Sequence, residues 1–222
     1  MQIATKVLTS ERYLPEFAHP YNKLAPHCEI VVASPQGGAA PLDPGSVEAF
    51  KEDKESQEFL KQKENLWKTT EKLESFKGKA NDFDAIFFVG GHGPMFDLAN
   101  NATSHAVIRE FYESGKVVAA VCHGPAALVN AKLSDGSYLI DGQKVTGFTN
   151  EEEGQAGLID AMPFLLETDM TKNVGSSGSF EKADSAWGAK VVVSGKNGKL
   201  MTGQNPASAA PLGETVLKTI SA

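Results

Sequence analysis

Cysteine is scarce in this chain of 222 residues, which contains two, Cys28 and Cys122. Two cysteines cannot form the disulfide framework of a small secreted domain, so we expect free thiols in a reducing compartment. A run of about eighteen apolar residues is also lacking, as is a signal-peptide pattern at the start. These absences predict a cytoplasmic protein without a membrane partner, and the nucleus stays open as a second compartment.

Positive charge is in short supply as well. The chain has 21 Lys and Arg against 28 Asp and Glu, a net charge of −7, and no basic block stands out. This balance argues against nucleic acid as a partner. Internal repeats and low-complexity segments are lacking too, and 41% of the residues are hydrophobic. The length and composition predict one globular domain spanning residues 1–222.

Strand-like and helix-like segments alternate along most of the chain. Continuous apolar runs within 28–34, 84–91 and 117–121 predict buried strands, and residues 3–10 predict a weaker first strand. Helical patterns separate these runs, which predicts a mostly parallel sheet covered by helices on both faces. Residues 189–203 predict a hairpin, and a last helix is expected to begin at Asn205 as its N-cap.

Residues 46–79 differ in character because they are dense in charge and carry only a thin apolar seam, which includes Phe59, Leu66 and Leu73. That spacing predicts a helix with one buried face. We interpret the segment as a small charged helical insertion laid over the main body. The alternative is a lid or a partner-binding face.

The sequence A-V-C-H-G at 120–124 follows the apolar run Val117–Val121 and precedes a helix-like segment. It resembles the nucleophile elbow G-x-S-x-G, with Ala120 at the first glycine position and Cys122 as the nucleophile. Such a turn holds one side chain in a strained, exposed position, and the following helix N-terminus is expected to lower the thiol pKa. A buried structural cysteine is the alternative, but the elbow context favours a reactive one. The adjacent His123 would serve as an acid or base. The alternative is a structural histidine whose ring hydrogen-bonds to backbone groups.

A glycine-rich turn, Gly90-Gly91-His92-Gly93, ends another predicted strand. Free N–H groups there suit an oxyanion hole, and an ordinary tight turn is the alternative. The glycines do not match the dinucleotide-binding or P-loop frames. No second His or Cys lies at metal-ligand spacing from His92, so we predict neither a metal nor a cofactor.

Carboxylates are harder to assign from the sequence. Three consecutive glutamates, Glu151, Glu152 and Glu153, follow a predicted strand. Acidic residues at the start of a helix interact favourably with the positive end of the helix macrodipole. One of them could orient His123, as the third member of a triad does, but the spacing leaves open which one. Glu16 is a lone carboxylate after the first strand, and its spacing gives no reason to prefer it.

Seven segments spread along the chain form a distinctive set: PEFAHPYNKL, VVASPQGGAAPLDPGS, FDAIFFVGGHGPMFDL, VVAAVCHGPAALV, GQKVTGFTNEEE, MPFLLE and LMTGQNPASA. Together they resemble the ThiJ/PfpI superfamily, also named after Parkinson protein seven. Within it they resemble the glutathione-independent glyoxalase (glyoxalase III) branch of heat-shock-type, chaperone-like proteins. The late His-x-Glu of the class I glutamine amidotransferases, which share the elbow, is not found after His123.

The resemblance implies a flavodoxin-like three-layer α/β/α sandwich and a set of site residues. Cys122 would be the nucleophile, His123 its partner, Glu153 the triad acid and Glu16 the carboxylic acid beside the thiol. The oxyanion contribution would fall on Gly91 and the backbone of His123. One departure is the short stretch between Ser10 and Glu16, where some relatives carry a longer loop.

The implied activity is that of a cofactor-independent lyase. It would convert methylglyoxal and related 2-oxoaldehydes to D-lactate through a hemithioacetal on Cys122. The resemblance also implies a homodimer. Alternatives are a stress-induced chaperone that binds misfolded proteins, a cysteine hydrolase or deglycase, and a redox sensor based on the same thiol.

Overall fold

The computed structural model describes residues 2–6 and 13–222. The strands are β1 Gln2–Lys6, β2 Glu29–Ser34, β3 Glu71–Lys72, β4 Ala85–Phe88, β5 Val117–Val121, β6 Lys144–Val145, β7 Ser179–Phe180, β8 Val191–Ser194 and β9 Leu200–Gly203. The helices are α1 Leu14–Leu24, α2 Pro44–Ala49, α3 Lys54–Gln62, α4 Asn65–Lys68, α5 Gly93–Asp97, α6 Ala102–Glu113, α7 Ala126–Val129, α8 Asn150–Ala156, α9 Leu166–Asn173 and α10 Ala209–Ile220. Short 3₁₀ helices cover Leu73–Phe76, Ala80–Asp82, Ile159–Ala161, Lys196–Gly198 and Pro206–Ser208.

Seven strands form one sheet in the order β3-β2-β1-β4-β5-β9-β8. All neighbours in it are parallel except β8 and β9, which form the antiparallel hairpin that the sequence predicts. The remaining strands, β6 and β7, pair with each other in a separate two-stranded sheet. None of the helices in the described residues has the length and apolar character needed to cross a membrane.

The centre of the sheet is fully buried because β4 and β5 consist of apolar residues on both faces. Every residue of these two strands is buried, as expected for parallel strands covered by helices. Helices α1 and α10 pack together, and α6 and α7 form a second contacting pair. The α/β expectation, a flavodoxin-like three-layer sandwich with a mostly parallel sheet, is confirmed.

The chain reverses its direction of travel across the sheet between β1 and β4. It moves outward from β1 to β2 and β3, then returns to the other side of β1 to form β4 and β5. Ligands in such sheets bind outside the carboxyl ends of the strands at this reversal. The segments that follow β1, β4 and β5 contain Glu16, Gly91 and Cys122 respectively.

Several boundaries follow the sequence closely. Strand β5 has the bounds that the apolar run predicts, and Asn205 caps the 3₁₀ turn that leads into α10 through a reciprocal capping box with Ser208. The described part of the first predicted strand is β1, and residues 7–10 of that prediction lie outside the described residues.

The expectation of a single helical face over residues 46–79 is wrong in detail. The segment contains most of α2, all of α3 and α4, then β3 and a 3₁₀ helix. The regular spacing of Phe59, Leu66 and Leu73 therefore spans three different elements. The chain breaks its helices because it must return to the sheet edge, where Thr70 pairs with Gly38 before β3 begins. Aromatic contacts anchor the segment instead, since Phe59 stacks on Trp67 at 5.6 Å and both rings meet Phe17 edge-on.

The helix that follows the GQKVTGFT segment is short, since α8 spans Asn150–Ala156. Helix α8 ends at Gly157, which adopts a left-handed φ of 71° that closes a helix without steric cost. A 3₁₀ turn then leads to α9. Helix α8 borders the site at both ends, because Glu153 lies in its first turn and Ala156 at its end lines the cavity next to Cys122.

Candidate active site

Cys122 follows β5 directly and has a φ of 59°, an unfavourable conformation for a residue with a side chain. Its N–H donates to the carbonyl of Gly203 at 2.9 Å, and its own carbonyl accepts from the N–H of Phe148 at 2.9 Å. Gly124 is required in this turn because an added Cβ would lie 2.8 Å from the carbonyl oxygen of Val121. The surrounding strands thus hold the cysteine in the strained conformation of a nucleophile elbow.

A buried chain of polar contacts runs from the thiol. Cys122 Sγ lies 3.4 Å from His123 Nδ1, and His123 Nε2 lies 2.6 Å from Glu153 Oε2. All three side chains are buried. The ring of His123 also packs on Phe148, with centroids 4.4 Å apart. A thiol, an imidazole and a carboxylate in this order can pass a proton away from sulfur.

The three consecutive glutamates at the start of α8 point in different directions. Successive helical residues differ by about 100° around the axis, so neighbours in sequence cannot share one target. Glu151 is exposed, Glu152 is fully buried in a different network, and Glu153 reaches His123. The sequence left this choice open, and the resemblance favoured Glu153, the residue that contacts His123.

Glu152 is the centre of that second network. Its carboxylate accepts hydrogen bonds from the backbone and hydroxyl of Thr149, both at 2.9 Å, which completes a capping box for α8. It also accepts from the N–H of Trp187 at 2.9 Å, from Gln204 Nε2 at 2.9 Å and from Asn205 Nδ2 at 2.7 Å. Glu152 therefore joins α8 to two loops that border the cavity.

Glu16 lies in the first turn of α1 and is fully buried. Its carboxyl faces the Cys122 thiol and the N–H groups of Gly90 and Gly91. Neither oxygen has a partner of standard hydrogen-bond geometry among the described residues. The approach depends on Gly90, because a Cβ there would overlap the Glu16 carboxyl and lie 2.8 Å from the Cys122 Cβ.

The carboxyls at the two ends of the polar chain have opposite charge states. Burial raises the pKa of Glu16 to about 8, although the thiol and the N–H groups of Gly90 and Gly91 act against it. Burial also acts to raise the pKa of Glu153, but hydrogen bonds from His123 and His92 outweigh it and lower that pKa to about 2. At neutral pH Glu16 is therefore mainly protonated and Glu153 is ionised.

The expectation that the helix N-terminus lowers the thiol pKa is wrong. Burial of Cys122, with the adjacent Glu16 acting in the same direction, raises the pKa of its thiol well above the ordinary value. Helix α7, which begins only at Ala126, has a single turn and provides little dipole to oppose this. Burial lowers the pKa of His123, so its imidazole is neutral and can accept the thiol proton.

His92 is a site residue whose position the sequence argument did not anticipate. Its Nε2 lies 3.1 Å from Glu153 Oε1, and its ring centroid lies 4.3 Å from that of His123. The two imidazoles thus bind the two oxygens of one carboxylate. The signal in the sequence was the GGHG turn, which ends the strand next to β5.

The exclusion of a metal rested on the lack of a second His or Cys near His92 in sequence. The fold corrects that reasoning, because ligand atoms of His92, His123 and Glu153 lie within 4.8 Å of one another. In the described geometry both Glu153 oxygens already accept from the imidazoles. The arrangement is thus accounted for as a carboxylate that orients two histidines.

These groups border a cavity of about 350 Å³, near the lower end of the size range of ligand sites. Tyr13 stands at its edge, and burial, with contributions from Glu16 and Cys122, raises the pKa of Tyr13 to about 12, so the phenol keeps its proton. The structure thus brings together Cys122, His123, Glu153, Glu16 and Gly91, the residues that the resemblance implies. The residues lining the cavity include Tyr13, Glu16, Gly91, His92, Cys122, His123, Phe148, Leu158, Trp187 and Pro206.

A model of the DJ-1/PfpI family matches residues 14–219, a span that holds all of these residues except Tyr13. The chain belongs to the DJ-1/PfpI family. This DJ-1/PfpI chain is 35% identical over 144 residues to a probable glutathione-independent glyoxalase, hsp3103 of Schizosaccharomyces pombe. That match covers 62% of this chain and 53% of the relative, so it spans about half of the relative's length.

Solved structures extend the likeness over almost the whole chain. The Rapid Encystment Protein 24 kDa of Francisella tularensis superposes with a TM-score of 0.87 at 32% identity, covering 99% of each chain. Glyoxalase III from Candida albicans superposes with a TM-score of 0.84 at 26% identity, covering 97% of this chain and 96% of the other. The expected resemblance to the ThiJ/PfpI superfamily and its glyoxalase branch is confirmed.

Proposed function

We propose that this protein is a glutathione-independent glyoxalase that converts methylglyoxal to D-lactate. The observation that carries the proposal is the pair of groups around Cys122. A neutral imidazole lies on one side of the thiol and a protonated carboxyl on the other, inside a small cavity. The kinship with proteins named as glyoxalases supports the same activity.

The first step is attack of the Cys122 sulfur on the aldehyde carbon of methylglyoxal. His123 Nδ1, 3.4 Å from Sγ, accepts the thiol proton as the C–S bond forms. Ionised Glu153 accepts the hydrogen bond from His123 Nε2 at 2.6 Å, which stabilises the imidazolium that results. Return of that proton to the aldehyde oxygen completes a hemithioacetal. Because burial disfavours a free thiolate, this proton transfer replaces permanent ionisation of the cysteine.

Backbone N–H groups stabilise the charge that develops on the aldehyde oxygen. The N–H of His123 faces the Cys122 sulfur, and the N–H of Gly91 faces the Glu16 carboxyl beside it. Donors held by the backbone need no rearrangement during the reaction, which makes them effective oxyanion partners. The predicted oxyanion role of Gly91 and His123 is part of this proposal.

The second step moves hydrogen from the first carbon to the second, and Glu16 is the group that we assign to it. One carboxyl oxygen donates its proton to the ketone oxygen while the other accepts the proton from the first carbon, which yields an enediol. Glu16 then donates its proton to the second carbon and accepts the hydroxyl proton of the first carbon. This second exchange converts the enediol to a lactoyl thioester. Both Glu16 oxygens are without standard partners among the described residues, which suits this double role.

Hydrolysis of the thioester by water, with His123 as the base, releases lactate and restores the Cys122 thiol. Overall, methylglyoxal and water give lactate, and the complete reaction consumes no glutathione, metal or redox cofactor. The reaction makes the protein a lyase with a cysteine nucleophile.

The decisive test is incubation of the purified protein with methylglyoxal alone, followed by separate assays of D- and L-lactate. We expect D-lactate from the wild type and none from Cys122→Ala. Full turnover by Cys122→Ala would refute the cysteine mechanism, and no lactate from the wild type would refute the activity itself.

A chaperone that binds misfolded proteins through the charged segment is less well supported. Four large apolar side chains of that segment are buried, and Leu60 and Leu66 are half-buried. The four are Phe59, Trp67, Leu73 and Phe76. Among the described residues, the large apolar side chains that are strongly exposed lie elsewhere: Phe96, Ile159, Trp187 and Val193. A hydrolase or deglycase would use the same cysteine, and the lactate assay distinguishes these activities from glyoxalase chemistry.

A further inference from the structure

A second cavity adjoins the one that contains Cys122. It has a volume of about 400 Å³ and shares Tyr13, Trp187 and Pro206 with the first. Its other walls include Phe50 and Ala207, neither of which borders the first cavity. Methylglyoxal is small, so it would leave this side cavity unused.

The walls of the side cavity are mainly aromatic. Tyr13 and Phe50 meet edge-to-face with ring centroids 5.6 Å apart, and Trp187 forms the wall shared with the reactive cavity. His19 also lines the side cavity, and its Nε2 is already bound to Asp53 at 2.7 Å. An apolar group, and an aromatic ring above all, is the ligand that such walls favour.

Trp187 is held where it stands although its backbone is strained. Its φ of 65° is an outlier for a bulky residue. Its N–H donates to buried Glu152 at 2.9 Å, its indole Nε1 donates to Gln155 at 2.6 Å, and its ring meets Phe148 edge-on at 5.5 Å. Strain that is maintained by several contacts is typical of sites where a side chain must be kept in one position.

We propose that the side cavity binds the substituent on the ketone carbon of the substrate, and that aryl 2-oxoaldehydes such as phenylglyoxal are therefore substrates. This inference rests on the proposed glyoxalase activity. The aldehyde carbon reaches Cys122 in the first cavity while the aryl ring passes Trp187 and packs against the Tyr13–Phe50 ring pair. The atom balance is that of the methylglyoxal reaction, so phenylglyoxal and water give mandelate.

The test compares two aldehydes on a variant that fills only the side cavity. Ala207 is exposed in the Pro206–Ser208 turn and lines that cavity alone, so Ala207→Phe obstructs it without touching the groups around Cys122. The matched control is Ala102→Phe, at an exposed alanine that lines neither cavity. Lactate and mandelate are measured as products in the absence of glutathione.

We expect the wild type to form mandelate from phenylglyoxal. Ala207→Phe should lower kcat/KM for phenylglyoxal about tenfold, mostly through KM, and change that for methylglyoxal less than about twofold. Ala102→Phe should change neither. Phe50→Ala, which removes one aromatic wall, should lower kcat/KM for phenylglyoxal about threefold. This variant replaces Ala207→Phe as the test if Ala207→Phe does not fold.

Two results would overturn the inference while leaving the proposed function intact. One is lactate from methylglyoxal without any mandelate from phenylglyoxal, and the other is an equal loss for both aldehydes in Ala207→Phe. Absence of lactate and mandelate alike would overturn the proposed function and this inference with it.

Discussion

The two sides of the cavity each contribute a glutamate from the first turn of a helix, yet the two behave oppositely. Glu16, from α1, is fully buried beside the Cys122 thiol, and burial raises its pKa to about 8. Glu153, from α8, receives hydrogen bonds from two histidines, and its pKa falls to about 2. The difference shows that burial and hydrogen-bond partners, and not residue type or position in a helix, decide which carboxyl is protonated at neutral pH and which is ionised.

The largest effect is expected from the Glu16 side. Glu16→Gln keeps the size and the buried position but cannot exchange protons, so kcat for methylglyoxal should fall roughly 1000-fold. The measurement is lactate formation, with chemical labelling of Cys122 to show that the thiol is still accessible. A variant that keeps more than about a tenth of wild-type turnover would remove Glu16 from the mechanism.

On the Glu153 side, Glu153→Gln should lower kcat about 100-fold because the amide no longer provides the negative charge that stabilises the His123 imidazolium. The matched control is Glu151→Gln, which changes an exposed glutamate of the same helical turn. Equal losses in the two variants would point to a general defect of α8 and contradict the assignment.

The pH dependence of the free energy of unfolding should reveal the raised pKa of Glu16 without any substrate. The pKa of Glu16 is raised in the folded state, so the folded protein binds more protons than the unfolded chain between about pH 4.5 and pH 8. The stability that protonated Glu16 contributes to the folded state is therefore fully present below pH 4.5 and is lost as the pH rises toward 8. The free energy of unfolding of the wild type relative to Glu16→Gln should fall by about 2 kcal/mol from pH 5.5 to pH 7. Urea titrations of both proteins at several pH values measure this difference, and a constant difference would contradict the raised pKa.

The smallest of these effects concerns Glu152, between the two sides. Glu152→Gln puts an amide donor against the N–H donors that now bind the carboxylate, which should cost about 1.5 kcal/mol of stability. Glu151→Gln is again the control and should be nearly neutral. We expect KM for an aryl aldehyde to rise more than KM for methylglyoxal, because Trp187 loses an anchor. A variant as stable as the control would show that this network contributes little.

The local parts of the fold and the site were predictable from sequence. An unbroken apolar run specifies a strand buried on both faces, and β5 has the predicted bounds. Cys-His-Gly at its end identifies the elbow because the chain must turn sharply there. Helix bounds over 46–79 were not predictable in this way, since contacts of Phe59 and Trp67 with α1 and the return to β3 interrupt a regular pattern.

The sequence by itself determined the α/β class, the elbow and the presence of a candidate nucleophile, because each depends on residues adjacent in the chain. Only the tertiary structure decided that Glu16, His92 and Glu153 meet at Cys122 and His123, and that the thiol is protonated at rest. Glu16 and His92 follow β1 and β4, and they converge with Cys122 because parallel strands end at one edge of the sheet. Glu153 comes instead from α8, which follows β6 of the separate two-stranded sheet. The pKa values depend on burial and partners brought together there, which no spacing along the chain records.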